Sequence, residues 1–219
     1  MSLLALATLG GAIGLDATSV GQFMVSRPLV VGVIVGWAVG QPALGAAVGA
    51  ILEIYLLVSF PTGGSRFPEG ATATVVAVGS CAGLDGPGTL AMAVAVGLVW
   101  GQLGGWSITW LRRANTRLTA DWGGDAPRPA RLARIHLTAV GLDFLRGVAV
   151  TGVGLLVCGG LVRAVATSWP LDTGHTFGLL LVGATVSLGI LLHDFGGFRQ
   201  HRLRLVLGLA LGLLGARFL

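Results

Sequence analysis

The sequence predicts an all-α polytopic membrane protein, a compact glycine-rich helix bundle with broken or re-entrant helices. Three observations predict it. The chain of 219 residues is 54% hydrophobic and 11% charged, where soluble domains run nearer a quarter charged; its mean hydropathy is +0.86. Glycine reaches 37 residues and recurs at helical spacing, with Gly32, Gly36 and Gly40 on one stripe and Gly45 and Gly49 beginning another. Such stripes let helix backbones approach closely where lipid removes the usual drive for association. Third, several apolar runs fall short of the roughly 20 residues a spanning helix needs.

Taken in order, the run Leu3–Leu15 is short, lacks a basic stretch before it and is followed directly by Asp16, so no cleavable leader is expected. Pro28–Gly40 is cut off by Gln41-Pro42, and the run ALGAAVGAILEIYLLVSF follows. Ala71–Leu84 is again short and follows the Gly/Pro-rich segment PTGGSRFPEG. Longer runs come next at Leu90–Leu111, Val140–Val165 and Phe177–Leu192, with Leu203–Leu219 marginal. Half-length helices beside polar breaks are tolerated at membrane depth only when buried in protein or lining a cavity. That is the pattern of transporter cores.

The chain reads as a single integral membrane domain over 1–219, with a cytoplasmic basic loop at 112–135. The net charge of +5 comes from arginine, since the sequence holds no lysine. Arg112, Arg113, Arg117, Arg128, Arg131 and Arg134 crowd that loop, and Arg199, Arg202 and Arg204 recur two spans later. Both clusters fall on one side by the positive-inside rule. The arginines flank apolar runs and do not form an aromatic-studded polar face, so no nucleic-acid partner is expected. The composition excludes a soluble enzyme. Cys81 and Cys158 lie in apolar runs and read as packing residues. The four histidines have no metal-ligand spacing, so neither metal nor cofactor is expected.

The informative residues are the few polar ones inside apolar runs. Most have a plain reading. Asp16 reads as a helix-end cap, Arg27 as an interfacial arginine and His136 as a boundary residue. Asp143 and Arg146 read as an i,i+3 pair, and His193-Asp194 as a loop entrance. Glu53, amid apolar and small neighbours, resists such a reading, because an ionised carboxylate there costs on the order of 3 kcal/mol. Glu69, between Pro68 and Gly70, sits at a helix N-terminus, where the dipole favours a carboxylate. Two carboxylates flanking a Gly/Pro-rich break suit a sugar, with Gln22 as an amide that donates and accepts. They suit a cation equally.

The stretch LDATSVGQFMVSRPLVVGVIVGWAVGQPALGAAVGAILEIYLL, the Pro68-Glu69-Gly70 triplet and the segment ARIHLTAVGLDFLRGVAV together resemble the membrane component IIC of the mannose/fructose/sorbose-type bacterial sugar phosphotransferase system. The resemblance covers roughly residues 14–150. The chain departs from it at Gln41-Pro42, where an acid is usual, and at Arg66, where small apolar residues are usual and where a cation could pair with Glu69. The resemblance implies a multi-pass permease of the bacterial inner membrane that binds and translocates a hexose-like sugar. Its substrate-binding candidates are Gln22, Glu53, Glu69, His136 and Arg146. Soluble IIA/IIB-type phosphocarriers would phosphorylate the sugar, a IID-type membrane subunit would partner the chain in an oligomer, and no catalytic residue of its own is expected. The alternatives are an ion-coupled secondary transporter and a non-transporting sensor or scaffold.

Overall fold

In a computed structural model, which describes residues 1–57, 66–119 and 128–215, the described residues form eight α-helices. These are α1 (Leu3–Thr18), α2 (Pro28–Ala38), α3 (Pro42–Leu56), α4 (Gly70–Cys81), α5 (Thr89–Thr119), α6 (Pro129–Val165), α7 (Thr173–Asp194) and α8 (Gly197–Gly215). A 3-10 turn at Ala166–Ser168 follows α6. Local chemistry sets several ends. The Ser2 hydroxyl accepts from the Ala5 N–H, and α2, α3 and α6 each begin on a proline, whose missing N–H is no loss in a first turn. Asp172 caps α7 by accepting from the His175 N–H at 2.8 Å. That backbone bond, with the His175 ring, holds the exposed Asp172 carboxyl below its ordinary value.

At 1.5 Å per residue, α2, α3 and α4, with 11, 15 and 12 residues, reach only about 16 to 23 Å, short of the ~30 Å hydrocarbon thickness. The chain turns between α2 and α3 at Gly40, whose φ of +78° suits glycine, and then at Gln41-Pro42. Of the predicted stripes, Gly32, Gly36, Gly45 and Gly49 form the contact of this helical hairpin, whereas Gly40, expected on the first stripe, lies past the end of α2, where a Cβ would meet nothing within 4 Å. A Cβ on Gly32 would lie 2.3 Å from the Gly45 carbonyl oxygen, and one on Gly45 would lie 2.2 Å from that of Gly32. The inner ends of all three short helices meet, since a Cβ on Gly70 would touch Pro28 at 2.9 Å and Leu56 at 3.7 Å.

Helix α4 is the core. Ala71 to Val78 are all buried, as are Ser80 and Cys81, because α1, α2, α3, α5 and α6 pack around it. A helix apolar all round must be enclosed in this way. Cys81 and Cys158 are both buried and free. A second close crossing joins α1 to α6, where a Cβ on Gly147 would meet the Gly11 Cα at 2.8 Å. Helix α7 leans on α3 through the Tyr55 hydroxyl, which donates to the Leu180 carbonyl at 3.2 Å, and α8 packs on α7. The outer faces of α6, α7 and α8 leave Leu156, Leu161, Val182, Val186, Leu203 and Leu209 exposed, as lipid-facing helices do.

Helices α5, α6 and α7 are long and apolar enough to cross a membrane, and α1 to α4 are the shorter apolar helices. The boundaries differ from the sequence reading at the basic loop. Residues 112–119 continue α5 and 129–135 begin α6, so much of the 112–135 stretch is helical; residues 120–127 lie outside the described residues. The polar ends of these helices extend past the apolar part because leucine, alanine and arginine are good helix formers. Residues 61–65 of the predicted break, and 216–219 of the last apolar run, also lie outside the described residues.

Candidate functional site

The short helices deliver their ends to the interior. Glu69 is the N-cap residue of α4, about 18 Å along that helix from its far end at Cys81. Glu53 lies eleven residues into α3 from Pro42, about 16 Å from the same side. The two carboxylates therefore sit at similar depth, each beside the N-terminus of a half-length helix. Glu53 reaches across to α2, where its Oε2 accepts from the Leu29 N–H at 3.3 Å and its Oε1 pairs with Arg27 Nη2 at 2.7 Å. Arg27, read from the sequence as an interfacial arginine, is the partner of Glu53. This pair is partly open, with side-chain exposures of 42% for Arg27 and 15% for Glu53.

Glu69 is enclosed. Its side chain is fully buried and takes a two-pronged pair from Arg146 of α6, Nη1 to Oε2 and Nη2 to Oε1, both at 2.8 Å. The Thr72 hydroxyl donates to Oε2 at 2.8 Å, and the Glu69 N–H donates to the Gly101 carbonyl of α5 at 2.9 Å. Room for this comes from glycine, since a Cβ on Gly104 would lie 2.6 Å from Glu69 Oε2 and one on Gly105 would lie 2.1 Å from the Phe67 oxygen. Arg66, a sequence candidate for pairing with Glu69, is not the partner; Arg146 is.

Arg146 is itself held in orientation. Its Nε donates to Asp143 Oδ1 at 2.9 Å, the predicted i,i+3 pair, and Nη1 also donates to the Ser107 hydroxyl of α5 at 2.9 Å. Four of the five guanidinium donors are thus engaged. The Thr18 and Ser19 hydroxyls, at the end of α1, both donate to Asp143 Oδ2. Two carboxylates and one guanidinium carry a formal charge of −1, offset by these hydroxyl dipoles and by the N-terminus of α4. The network ties α1, α4, α5 and α6 at one level.

Of the five predicted binding residues, the structure brings Glu69 and Arg146 into direct contact and holds Glu53 in a separate pair. Gln22 is exposed, with a left-handed φ of +57°, on the α1–α2 connection. Asp16 organises that connection by accepting from the Phe23 and Ser26 N–H groups at 2.6 and 2.9 Å. His136 is exposed and lies ten residues before Arg146 on α6, about 15 Å away along the axis. The hydroxyls of Thr18, Ser19, Thr72 and Ser107 were missed by the sequence reading. Only Thr72, three residues after Glu69 on one helix face, carried a local signal. Among the described residues no cluster of metal-ligating side chains occurs.

A glycine-rich bundle in which half-length helices carry ionised groups into the interior defines a multi-pass membrane transport protein. Residues 1–190 match the family described as EII-Sor, the PTS system sorbose-specific IIC component. The chain belongs to that family, and is a membrane permease component of a sugar phosphotransferase system. A solved structure described as "Structure of membrane protein" shares the fold, with a TM-score of 0.69 at 20% identity, covering 99% of this chain and 91% of that one. No curated protein matches the chain significantly. Family membership favours neither the ion-coupled nor the non-transporting alternative.

Proposed function

We propose that the chain binds a hexose-like sugar where the inner ends of α2, α3 and α4 meet and passes it towards the basic, cytoplasmic end of the molecule. The observation that carries this reading is the placing of Glu53 and Glu69 at similar depth in separate ion pairs, each carboxylate beside the N-terminus of a half-length helix. A sugar hydroxyl can donate to a carboxylate and accept from a guanidinium, so a vicinal diol can enter a carboxylate–arginine pair without leaving either charge bare. The partly open Arg27–Glu53 pair suits this exchange. The closed Glu69–Arg146 pair suits holding the α4 tip beside it, and Gln22 on the α1–α2 connection supplies an amide at the margin.

His136, exposed near the basic end of α6, suits a later contact on the inward path to the phosphocarrier. Soluble IIA/IIB-type subunits would supply the phosphoryl group and a IID-type subunit would complete the membrane assembly in the bacterial inner membrane. Phosphoryl transfer needs chiefly positioning and charge stabilisation, so the task of this chain is to present the acceptor hydroxyl. The charge then added to the sugar disfavours its return through an apolar path.

The test is Glu53→Gln, measured by sugar uptake and by sugar binding in assembled protein of normal melting behaviour. Losing a charge-assisted hydrogen bond of about 1.5–3 kcal/mol should weaken binding by about 10- to 100-fold. Wild-type uptake and affinity in the folded variant would overturn the role of Glu53.

A further inference from the structure

Arg66, left unused by the site above, borders a different feature. With Trp106, Thr109, Trp110 and Arg113 of α5 it lines a cavity of about 220 Å³. The α5 residues recur at three- and four-residue spacing, which places them on one helix face. Trp106 and Trp110 are 62% and 75% exposed. They lie 17 and 21 residues along α5 from Thr89, and Arg113 lies 24, about 26, 32 and 36 Å along the axis. A hydrocarbon layer of ~30 Å that began at Thr89 would end at this level, beside the arginine-rich end of the molecule.

Arg66 and Arg113 make no ion pair among the described residues, where the arginine–carboxylate pairs belong to Arg27 and Arg146. Neighbouring Arg112 differs, because its guanidinium lies over the Phe67 ring, 5.4 Å from the centroid. Two guanidinium forks match the oxygens of a phosphate. Two indoles at headgroup level suit the glycerol or sugar carbons attached to it.

We propose that the Arg66–Arg113 cavity binds the phosphate group of a phosphate-bearing ligand at the basic membrane boundary. The same chemistry is offered by the headgroup of an anionic phospholipid and by a phosphorylated sugar arriving from the aqueous side. The site does not depend on the sugar path proposed above, and its failure would leave that path untouched.

The experiment titrates the full chain in neutral detergent with short-chain phosphatidylglycerol, with the matching diacylglycerol, with a hexose 6-phosphate and with inorganic phosphate, following tryptophan fluorescence. The expected result is a saturable change with a phosphate probe and none with diacylglycerol. Saturation by the lipid alone assigns the headgroup, and saturation by the soluble phosphates alone assigns the solute. At about 1 kcal/mol per arginine near an anionic surface, Arg66→Gln or Arg113→Gln should weaken that binding about fivefold, and the double variant about 30-fold. The single variants carry the test if the double variant does not fold. Absence of saturation with every phosphate probe, equal binding of diacylglycerol, or unchanged affinity in folded variants would overturn the proposal.

Discussion

At the scale of single residues, the two arginine–glutamate pairs differ in what their loss should do. Arg146 answers two buried carboxylates, Glu69 and Asp143, whose side chains are 0% and 1% exposed. Removing one partner of a buried pair costs about 3–5 kcal/mol, because the charge left behind is neither solvated nor paired. Arg146→Met should therefore lower stability by that amount in reversible unfolding from detergent micelles. Arg27→Met, at a pair open to solvent on its arginine side, should cost about 1 kcal/mol. Equal losses in the two variants would refute the distinction. The sequence marked Glu53 because its charge interrupts an apolar and small-residue run, and Glu69 because it sits between Pro68 and Gly70 at a helix N-terminus, whereas Arg146 read plainly as the i,i+3 partner of Asp143 and became a candidate only through the family resemblance. The sequence could not pair Glu69 with Arg146, since they are 77 residues apart and nothing local links α4 to α6. It also offered Arg66 as a nearer cation for Glu69, and proximity in the chain proved a poor guide to proximity in the fold.

At the scale of elements, close approach decides where glycine is required. On Gly45 a Cβ would press the Gly32 backbone at 2.2 Å, and backbone cannot swing aside as a side chain can. Gly45→Ala should part α2 from α3 and cost about 1–3 kcal/mol, shifting with it the Glu53 contact to the α2 N-terminus. Gly189 in α7 and Gly141 in α6 meet nothing within 4 Å, so alanine there should be neutral or raise stability by up to about 1 kcal/mol through helix propensity. Thermal unfolding of the three variants side by side checks this, and a Gly45→Ala melt at or above wild type would contradict the hairpin. The spacing of Gly32 and Gly36, and of Gly45 and Gly49, marked faces for close approach beforehand, but it did not say that these two faces meet each other, and it counted Gly40, which forms the turn, on the first stripe. The α1–α6 crossing at Gly11 and Gly147 was not legible, since its partners lie on helices far apart in the chain. The helical extensions of α5 and α6 past the apolar runs were hidden for another reason, that hydropathy marks where a helix leaves lipid and not where it ends.

At the scale of the whole molecule, helix directions and arginine placement make one orientation claim. Helix α5 runs towards the basic residues 112–119, α6 returns from 129, and α7 runs back so that Arg199, Arg202 and Arg204 open α8 at the same end. The opposite end gathers the turn at Gln41, the α4–α5 loop and the start of α7. Gln41 Oε1 there accepts from the Gly83 N–H at 3.0 Å, and a Cβ on Gly88 would touch Trp169 at 2.3 Å. If basic residues are retained on the cytoplasmic side, Asp85 and Asp172 are expected to face outward and Arg131 and Arg199 to face the cytoplasm. All four are exposed, and the native cysteines are buried, so single cysteines at these positions report cleanly. In intact cells with permeable outer layers, Asp85→Cys and Asp172→Cys should react with a membrane-impermeant thiol reagent, whereas Arg131→Cys and Arg199→Cys should react only after the membrane is opened. A mixed pattern within either pair would break the common orientation of α5, α6 and α7. It would also remove the reason for reading the passage from the half-helix ends towards the arginine-rich side as the direction of transport.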